Sequence, residues 1–380
     1  MKRLILPVAA VALGLTVTAC GSSATTAKST STTPAPPASS EAPAAAVSTA
    51  NPTGAVTLNE AGSSLLYPFL QELVGPLQQA YSNVTLAPAA GGSGKGISDA
   101  ISGTVDLGGS DAYLSPGQLA QNAGLMNIPV VVSAQAVNYN VSGVSNVKLS
   151  GDILAQMYQG KITSWNDPAI KAMNPGVSLP ATKVVPVRRV DSSGDTFLFT
   201  SFLSATNSAW SNGPSFGTTV TWPAVSGELT ASGNPGMVQT CKSTPGCVAY
   251  VGVSAESSAK TAGLGEAMLQ NKNGQFLQPL ASTITAAATA GSGSIPANLA
   301  QSLIYEAGDN AYPIVNFEYL VVKAKQSSAD KATAIRDFLS FAMDPNGGSA
   351  PALLAKEDFV ALPSAVIPKA QAAVATISGS

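Results

Sequence analysis

The sequence contains no histidine, and that absence excludes more than any other feature of its 380 residues. It removes Ser-His-Asp and Cys-His nucleophiles and every histidine-ligated metal site. Cysteine is nearly as scarce, and three residues are too few for a disulfide-rich scaffold or a thiolate metal centre. Charged residues make up only 11% of the chain, with 19 Lys plus Arg against 21 Asp plus Glu and a formal net charge of −2. No basic cluster stands out, so the chain lacks the cations that neutralise nucleic-acid phosphates. Apolar residues, in contrast, reach 45%, enough for a sizeable core, and the length allows two or three domains.

Long hydrophobic runs are also missing, with one exception. Leu4 to Val17 follows the positive pair Lys2 and Arg3 and ends in Val17-Thr18-Ala19-Cys20-Gly21. A positive start, a short apolar stretch and small residues read as a secretory signal over residues 1–19, too short to span a membrane. The V-T-A-C pattern resembles a bacterial lipobox, in which Cys20 becomes the acylated first residue of the mature chain. The expectation is an exported lipoprotein held by a lipid such as palmitate on the outer face of the cytoplasmic membrane. From residue 20 to residue 52 the chain is mostly Ser, Thr, Ala and Pro, without hydrophobic period, and reads as a flexible tether. Cys241 and Cys247 flank a Pro245-Gly246 turn. In an exported chain they are expected to form a local disulfide, because no further soft ligands are at hand for a metal.

The remaining body alternates β-rich and helical patterns. Strands are expected at Val130–Val132, Ala136–Tyr139, Val184–Val187 and Tyr319–Val322. Helices are expected over Leu65–Gln79, Gly151–Gln159, Thr196–Leu203 and Ala329–Ala342. Such alternation indicates α/β domains with mixed or parallel sheets.

Three small-residue turns each lead into a helix. They are Ala61-Gly62-Ser63-Ser64-Leu65-Leu66, Gly91-Gly92-Ser93-Gly94-Lys95-Gly96, and Arg188-Arg189-Val190-Asp191-Ser192-Ser193-Gly194-Asp195-Thr196. In the first, Ser63 or Ser64 can cap the helix and Pro68 fits its first turn. Each start offers unpaired backbone N–H groups at the positive end of a helix dipole. Converging starts would enclose an oxyanion with neutral donors, which explains how an acidic chain could bind one. Taken singly, each is more simply a helix cap. The glycine-rich turn is not a nucleotide loop, because Gly94-Lys95-Gly96 lacks the following Ser or Thr and Ala89 replaces the first Gly. Ser257-x-x-Lys260 and Ser328-x-x-Lys331 match a fragment of a penicillin-binding-protein motif that recurs by chance.

Beyond these turns, the stretches A-G-S-S-L-L-Y-P-F, G-G-S-G-K-G-I-S-D-A-I-S-G-T-V-D-L-G-G-S-D-A-Y-L-S, G-K-I-T-S-W-N-D-P-A-I, P-V-R-R-V-D-S-S-G-D-T-F-L-F-T-S-F-L and G-C-V-A-Y-V-G-V occur in order. Together they resemble the phosphate-binding proteins of ABC phosphate importers (PstS type). The resemblance implies a two-lobed, type II-like periplasmic-binding-protein fold of the α/β class, with two crossover strands and the ligand in the interlobe cleft. The crossovers are expected near Ala134–Asn138 and Tyr312–Asn316. Lobe I would combine 54–133 with 315–380, and lobe II would be 134–314.

The implied phosphate ligands are the Ser64 hydroxyl, the Leu65 N–H, Ser93, Asp111, Arg189, Ser193, the Gly194 N–H and Asp195. Many members have Thr-Phe where this chain has Ser64-Leu65, and Thr where it has Asp195. Asp191 is placed to pair with Arg189. An ionised Asp111 accepts hydrogen bonds only, so it would take one from a protonated phosphate and reject sulfate. The implied partners are inorganic phosphate and the permease with its cytoplasmic ATPase. No cofactor, metal or nucleic acid is implied, and a monomer is expected. The alternatives are a receptor for a sulfate-like oxyanion, a phosphatase, or an adhesive surface lipoprotein. The phosphatase lacks a visible nucleophile or metal cluster.

Overall fold

The structure is a computed structural model and describes residues 50–380. The expected signal peptide, Cys20 and nearly all of the tether lie outside the described residues. In chain order the strands are β1 (Val56–Gly62), β2 (Val84–Ala87), β3 (Leu107–Ser110), β4 (Leu125–Tyr139), β5 (Lys148–Leu149), β6 (Val185–Arg189) and β7 (Leu229–Ala231). There follow β8 (Cys247–Gly252), β9 (Gly265–Glu266), β10 (Met268–Gln270), β11 (Phe276–Leu277), β12 (Val315–Lys323), β13 (Lys325–Gln326) and β14 (Ser378–Gly379).

The main sheet runs β2-β1-β3-β12-β4-β8-β6-β7, with β9 also on β4. It is mixed. β1 is parallel to β2 and β3, and β6 is parallel to β7 and β8, whereas β12 and β4 run antiparallel to their neighbours. β4 joins the two halves. It pairs with β12 from Leu125 to Ala134, then with β8 from Gln135 to Tyr139. The sequence signalled this strand as two apolar runs. It is one strand, because Ser133 and Gln135 interrupt the apolar pattern without leaving the core. Each half thus forms a lobe of parallel βα units, with β4 common to both.

The central strands β3, β4, β8 and β12 are buried along nearly their whole length, so both faces of the middle of the sheet are covered. Tyr67–Ala80, Gly151–Tyr158, Gly194–Thr206 and Ala329–Met343 are helical, within a few residues of expectation. Each lays down apolar side chains at helical spacing, for example Phe69, Leu70, Leu73 and Leu77. In the second lobe Tyr158, Phe199, Trp222 and Tyr250 form one aromatic cluster. The buried Tyr158 hydroxyl is shared between the carbonyls of Val187 and Val248, at 2.9 and 3.1 Å, which ties β6 to β8.

Cys241 and Cys247 form a disulfide, with Cα atoms 5.3 Å apart, linking the end of the Gly233–Lys242 helix to the start of β8. The two Ser-x-x-Lys tetrads have ordinary roles. Ser328 caps the Ala329–Met343 helix while Lys331 pairs with Asp106 at 2.8 Å. Lys260 is exposed and lies about 4 Å from Glu256 and Glu266.

Candidate anion-binding site in the interlobe cleft

The first-lobe wall is made by the turns after β1, β2 and β3. The chain leaves β1 at Gly62, and the Ser63 N–H donates to Gly109 O at 2.9 Å. The Ser63 hydroxyl accepts from the N–H groups of Leu65 and Leu66, each at 3.0 Å, and donates to Asp111 Oδ1. Neither serine caps the helix as expected. The N-cap is Leu66, and a tight turn over 64–66 separates Ser63 from it, with Pro68 in the first helical turn. Ser64 faces the second lobe, where its hydroxyl accepts from Asn234 N at 3.2 Å and Asn234 Nδ2 at 3.3 Å. The Leu65 N–H is already held by Ser63, and its carbonyl accepts from Ser254 Oγ at 2.8 Å.

In the glycine-rich turn, Gly91 and Gly92 both donate to Gly62 O at 2.8 Å. Gly92 has φ +89°, a conformation that suits only a residue without a side chain. Ser93 then opens the Ser93–Ser102 helix, and its hydroxyl accepts from the Asp111 N–H at 3.1 Å. Beneath these turns lies a buried carboxyl, Glu60, which accepts from Gly109 N at 3.1 Å and binds the loop again at Ala89 N. Burial lifts its pKa to about 8, against the pull of those two N–H donors.

The second-lobe wall is β6 and the helix start that follows it. The Tyr250 hydroxyl receives the Arg189 N–H at 2.9 Å, so the aromatic cluster fixes where β6 ends. The Arg189 side chain is buried. Its Nε donates to Asp191 Oδ1 at 2.8 Å, its Nη2 to Asp191 Oδ2, and its Nη1 to Asp195 Oδ2. Burial works against the guanidinium charge, but the Asp191 hydrogen bonds and the Asp195 charge outweigh it and raise its pKa. Arg188 does not join. It pairs with Glu228 at 3.0 Å and lies over Trp222.

Ser193 caps the Gly194–Thr206 helix through Thr196 N at 3.4 Å. Asp195 points into the cleft and is 1% exposed. Besides Arg189 it accepts from Gln135 Nε2 at 3.2 Å and from Asn234 Nδ2 at 3.0 Å. The two walls touch. Gly94 N donates to Ser192 O at 3.0 Å, and a Cβ on Gly194 would collide with Asp111 Oδ2 and Ser93 Oγ.

Ser93, Asp111, Arg189, Ser193, Gly194 and Asp195 therefore meet at one buried place, while Ser64 and Leu65 stand at its edge, tied in through Asn234 and Ser254. Two crevices lined from both lobes flank it. One, about 460 Å³, is lined by Ser64, Pro68, Asn234, Lys242 and Ser254, and the other, about 510 Å³, by Gly94, Tyr113, Ser192, Phe197 and Phe216. Neither is lined by Asp111 or Arg189; a much smaller cavity, about 10 Å³, reaches Asp111 beside Tyr113, Phe197 and Tyr319, and the charged centre is otherwise buried.

Four residues escaped the sequence reading. Ser63, not Ser64, touches Asp111. Gln135 and Asn234 both hold Asp195. Glu318, on β12 and 0% exposed, stands beside Asp111. The available signal was polar side chains inside apolar strands, Gln135 in β4 and Glu318 in β12.

Chemically the centre offers one cation, serine hydroxyls, two helix N-termini and carboxylate acceptors. It suits an oxyanion that can also donate a hydrogen bond. A two-lobed α/β receptor with helix starts aimed into its cleft is a periplasmic-binding protein, and residues 40–346 match the family described as the PBP superfamily domain. Within that class the chain belongs to the PstS family of phosphate-binding proteins. It is 37% identical over 295 residues to the phosphate-binding protein PstS of Methanocaldococcus jannaschii, covering 72% of this chain and 75% of that protein. It is 32% identical over 322 residues to PstS of Pasteurella multocida, covering 84% and 90%. Among solved structures it is similar to PfluDING, a high-affinity periplasmic phosphate-binding protein bound with phosphate. The TM-score is 0.68 at 23% identity, over 83% of this chain and 93% of that one.

Proposed function

We propose that the chain is the extracytoplasmic phosphate receptor of an ABC importer. Inorganic phosphate is bound between the lobes and delivered to permease subunits served by a cytoplasmic ATPase. The observation that carries this reading is the meeting of Arg189, Asp111, Ser93 and the Gly194 helix start at one buried place in a PstS-family chain. Ser93, Ser193, the Gly194 N–H and Arg189 are the donors to phosphate, with Ser64 and Leu65 completing the first-lobe edge. Asp111 is the acceptor, and Asp195 holds Arg189 and lines the same space. Sulfate, which carries no proton, would set its oxygens against the Asp111 carboxylate. Burying two unpaired acceptors costs several kcal/mol, about 10⁴-fold or more in discrimination.

The lobes are 54–133 with 315–380 and 134–314, and they close by hinge motion where β4 and β12 pass between them. Cys20 carries the lipid, and the tether keeps a monomeric receptor close to its permease. Calorimetric titration of ligand-stripped protein tests the reading. One-to-one phosphate binding with no sulfate heat is expected, and Asp111→Asn should gain sulfate binding. Silence toward phosphate would overturn the receptor reading. Equal binding of both anions would favour a general tetrahedral-oxyanion receptor.

A further inference from the structure

Glu318 has no part in the scheme above, yet it stands directly behind the acceptor that the scheme depends on. Its Oε1 accepts from Ser133 Oγ at 2.5 Å and from Asn316 Nδ2 at 2.8 Å. Its Oε2 is buried and meets no N–H or hydroxyl donor. The Glu318 and Asp111 carboxyls stand side by side, because Tyr319 is in register with Ser110 and Asn316 Nδ2 donates to Glu318 Oε1 and also reaches Asp111 O at 3.5 Å. With both ionised, two buried acceptors would stand together with no donor between them, and one shared proton supplies that donor.

Apart from the Ser63 hydroxyl that donates to Asp111 Oδ1, the described surroundings supply no other compensation. Asp111 comes from the turn after β3, Ser133 from β4, Asn316 and Tyr319 from Glu318's own strand, and Asp195 from the Gly194–Thr206 helix. Of the charged groups among these, all are acidic. Arg189 is already committed to Asp191 and Asp195. Four carboxyls thus share one guanidinium, with Asp111, Asp195 and Glu318 buried and Asp191 partly exposed, and phosphate adds more negative charge.

Resting on the phosphate reading above, we propose that Asp111 and Glu318 hold one proton between them when the cleft is closed on phosphate, so that capture at mildly alkaline pH draws a proton onto the protein. The donors on Oε1 leave Oε2 of Glu318 as the oxygen with room for it. A neutral Glu318 then donates to Asp111, cancels the charge behind it, and keeps Asp111 the acceptor that phosphate recognition requires. Glu318 acts through Asp111 and is a positioning residue. Burial and the mutual repulsion of Asp111, Glu318 and Asp195 push the Asp111 carboxyl well above its ordinary range, in keeping with this arrangement. When the lobes part, water reaches Asp111 and the pair can ionise fully.

The test is phosphate titration of the full mature chain at mildly alkaline pH in buffers of different ionisation enthalpy, which counts protons taken up per phosphate. The wild type should take up roughly one proton more than Glu318→Gln, whose amide cannot share one. Equal counts in the two proteins would overturn the proposal while leaving phosphate binding intact. Should Glu318→Gln not fold, infrared difference spectra of the wild type decide. A protonated-carboxyl C=O band must appear on phosphate addition, and its absence overturns the proposal. No phosphate heat in the wild type in any buffer would instead overturn the receptor reading, and this proposal with it.

Discussion

Gly194→Ala separates capture of the ligand from stability of the fold. Gly194 is the first residue of its helix, and its φ is not in the left-handed region. Alanine suits that backbone and is the better helix former, by up to about 1 kcal/mol. The added Cβ, however, would collide with Asp111 Oδ2 and Ser93 Oγ, both on the other lobe. Neither neighbour can yield cheaply. Asp111 is pinned by Ser63, and Ser93 receives the Asp111 N–H. The clash is therefore relieved only by parting the lobes. Overpacking of this kind costs about 1–3 kcal/mol. Charged against closure alone, that weakens phosphate binding about 5–150-fold. Calorimetry gives the Kd, and thermal unfolding without phosphate gives the stability. The expected result is weaker binding with an unfolding midpoint at or above that of the wild type. Binding within about twofold of the wild type would refute the reasoning, because Gly194 and Asp111 would then not meet on capture.

Arg189→Met leaves the buried Asp195 and the partly exposed Asp191 without their cation. It should lose phosphate binding and about 3–5 kcal/mol of stability in chemical denaturation. That deficit should shrink as pH falls into the ordinary carboxylate range, where both orphans can take up protons. Replacing Cys241 and Cys247 together by Ser should cost about 2 kcal/mol, the loop-closure value for so short a ring, measured by reversible denaturation. Glu60 has its pKa raised from 4.5 to about 8, so the folded state binds the proton more tightly than the unfolded chain does. Its contribution is fully present below pH 4.5 and is lost as pH rises through about 8. The stability of Glu60→Gln relative to the wild type should therefore rise across that window, and a flat difference would show that Glu60 is ionised throughout.

The elements legible in the sequence were those whose periodicity carries the signal. The Ala329–Met343 helix is one, with Ala334, Ile335, Phe338, Leu339 and Ala342 on one face. The three helix starts were also readable, because Gly and Ser before an apolar period have few other uses. Ser63 and Ser64 could not be told apart, since a tight turn decides which hydroxyl faces Asp111 and which faces Asn234. Glu318 was hidden for a different reason. A lone acid in Val315-Asn316-Phe317-Glu318-Tyr319 looks like the solvent side of an alternating strand, but β12 is buried on both faces up to Val322. Asn234 became relevant only when the fold brought the Gly233–Lys242 helix beside Ser64 and Asp195, contacts separated by 170 and 39 positions in the chain.

The central claim is that one buried place, built from both lobes, holds the anion. A crystal structure of the phosphate-saturated protein tests it most directly. The account predicts phosphate between the lobes, touching Ser93 Oγ, the Asp111 carboxyl, the Arg189 guanidinium and the Gly194 N–H. Phosphate seated instead in the crevice beside Ser64 and Lys242, with Asp111 and Arg189 out of contact, would contradict it.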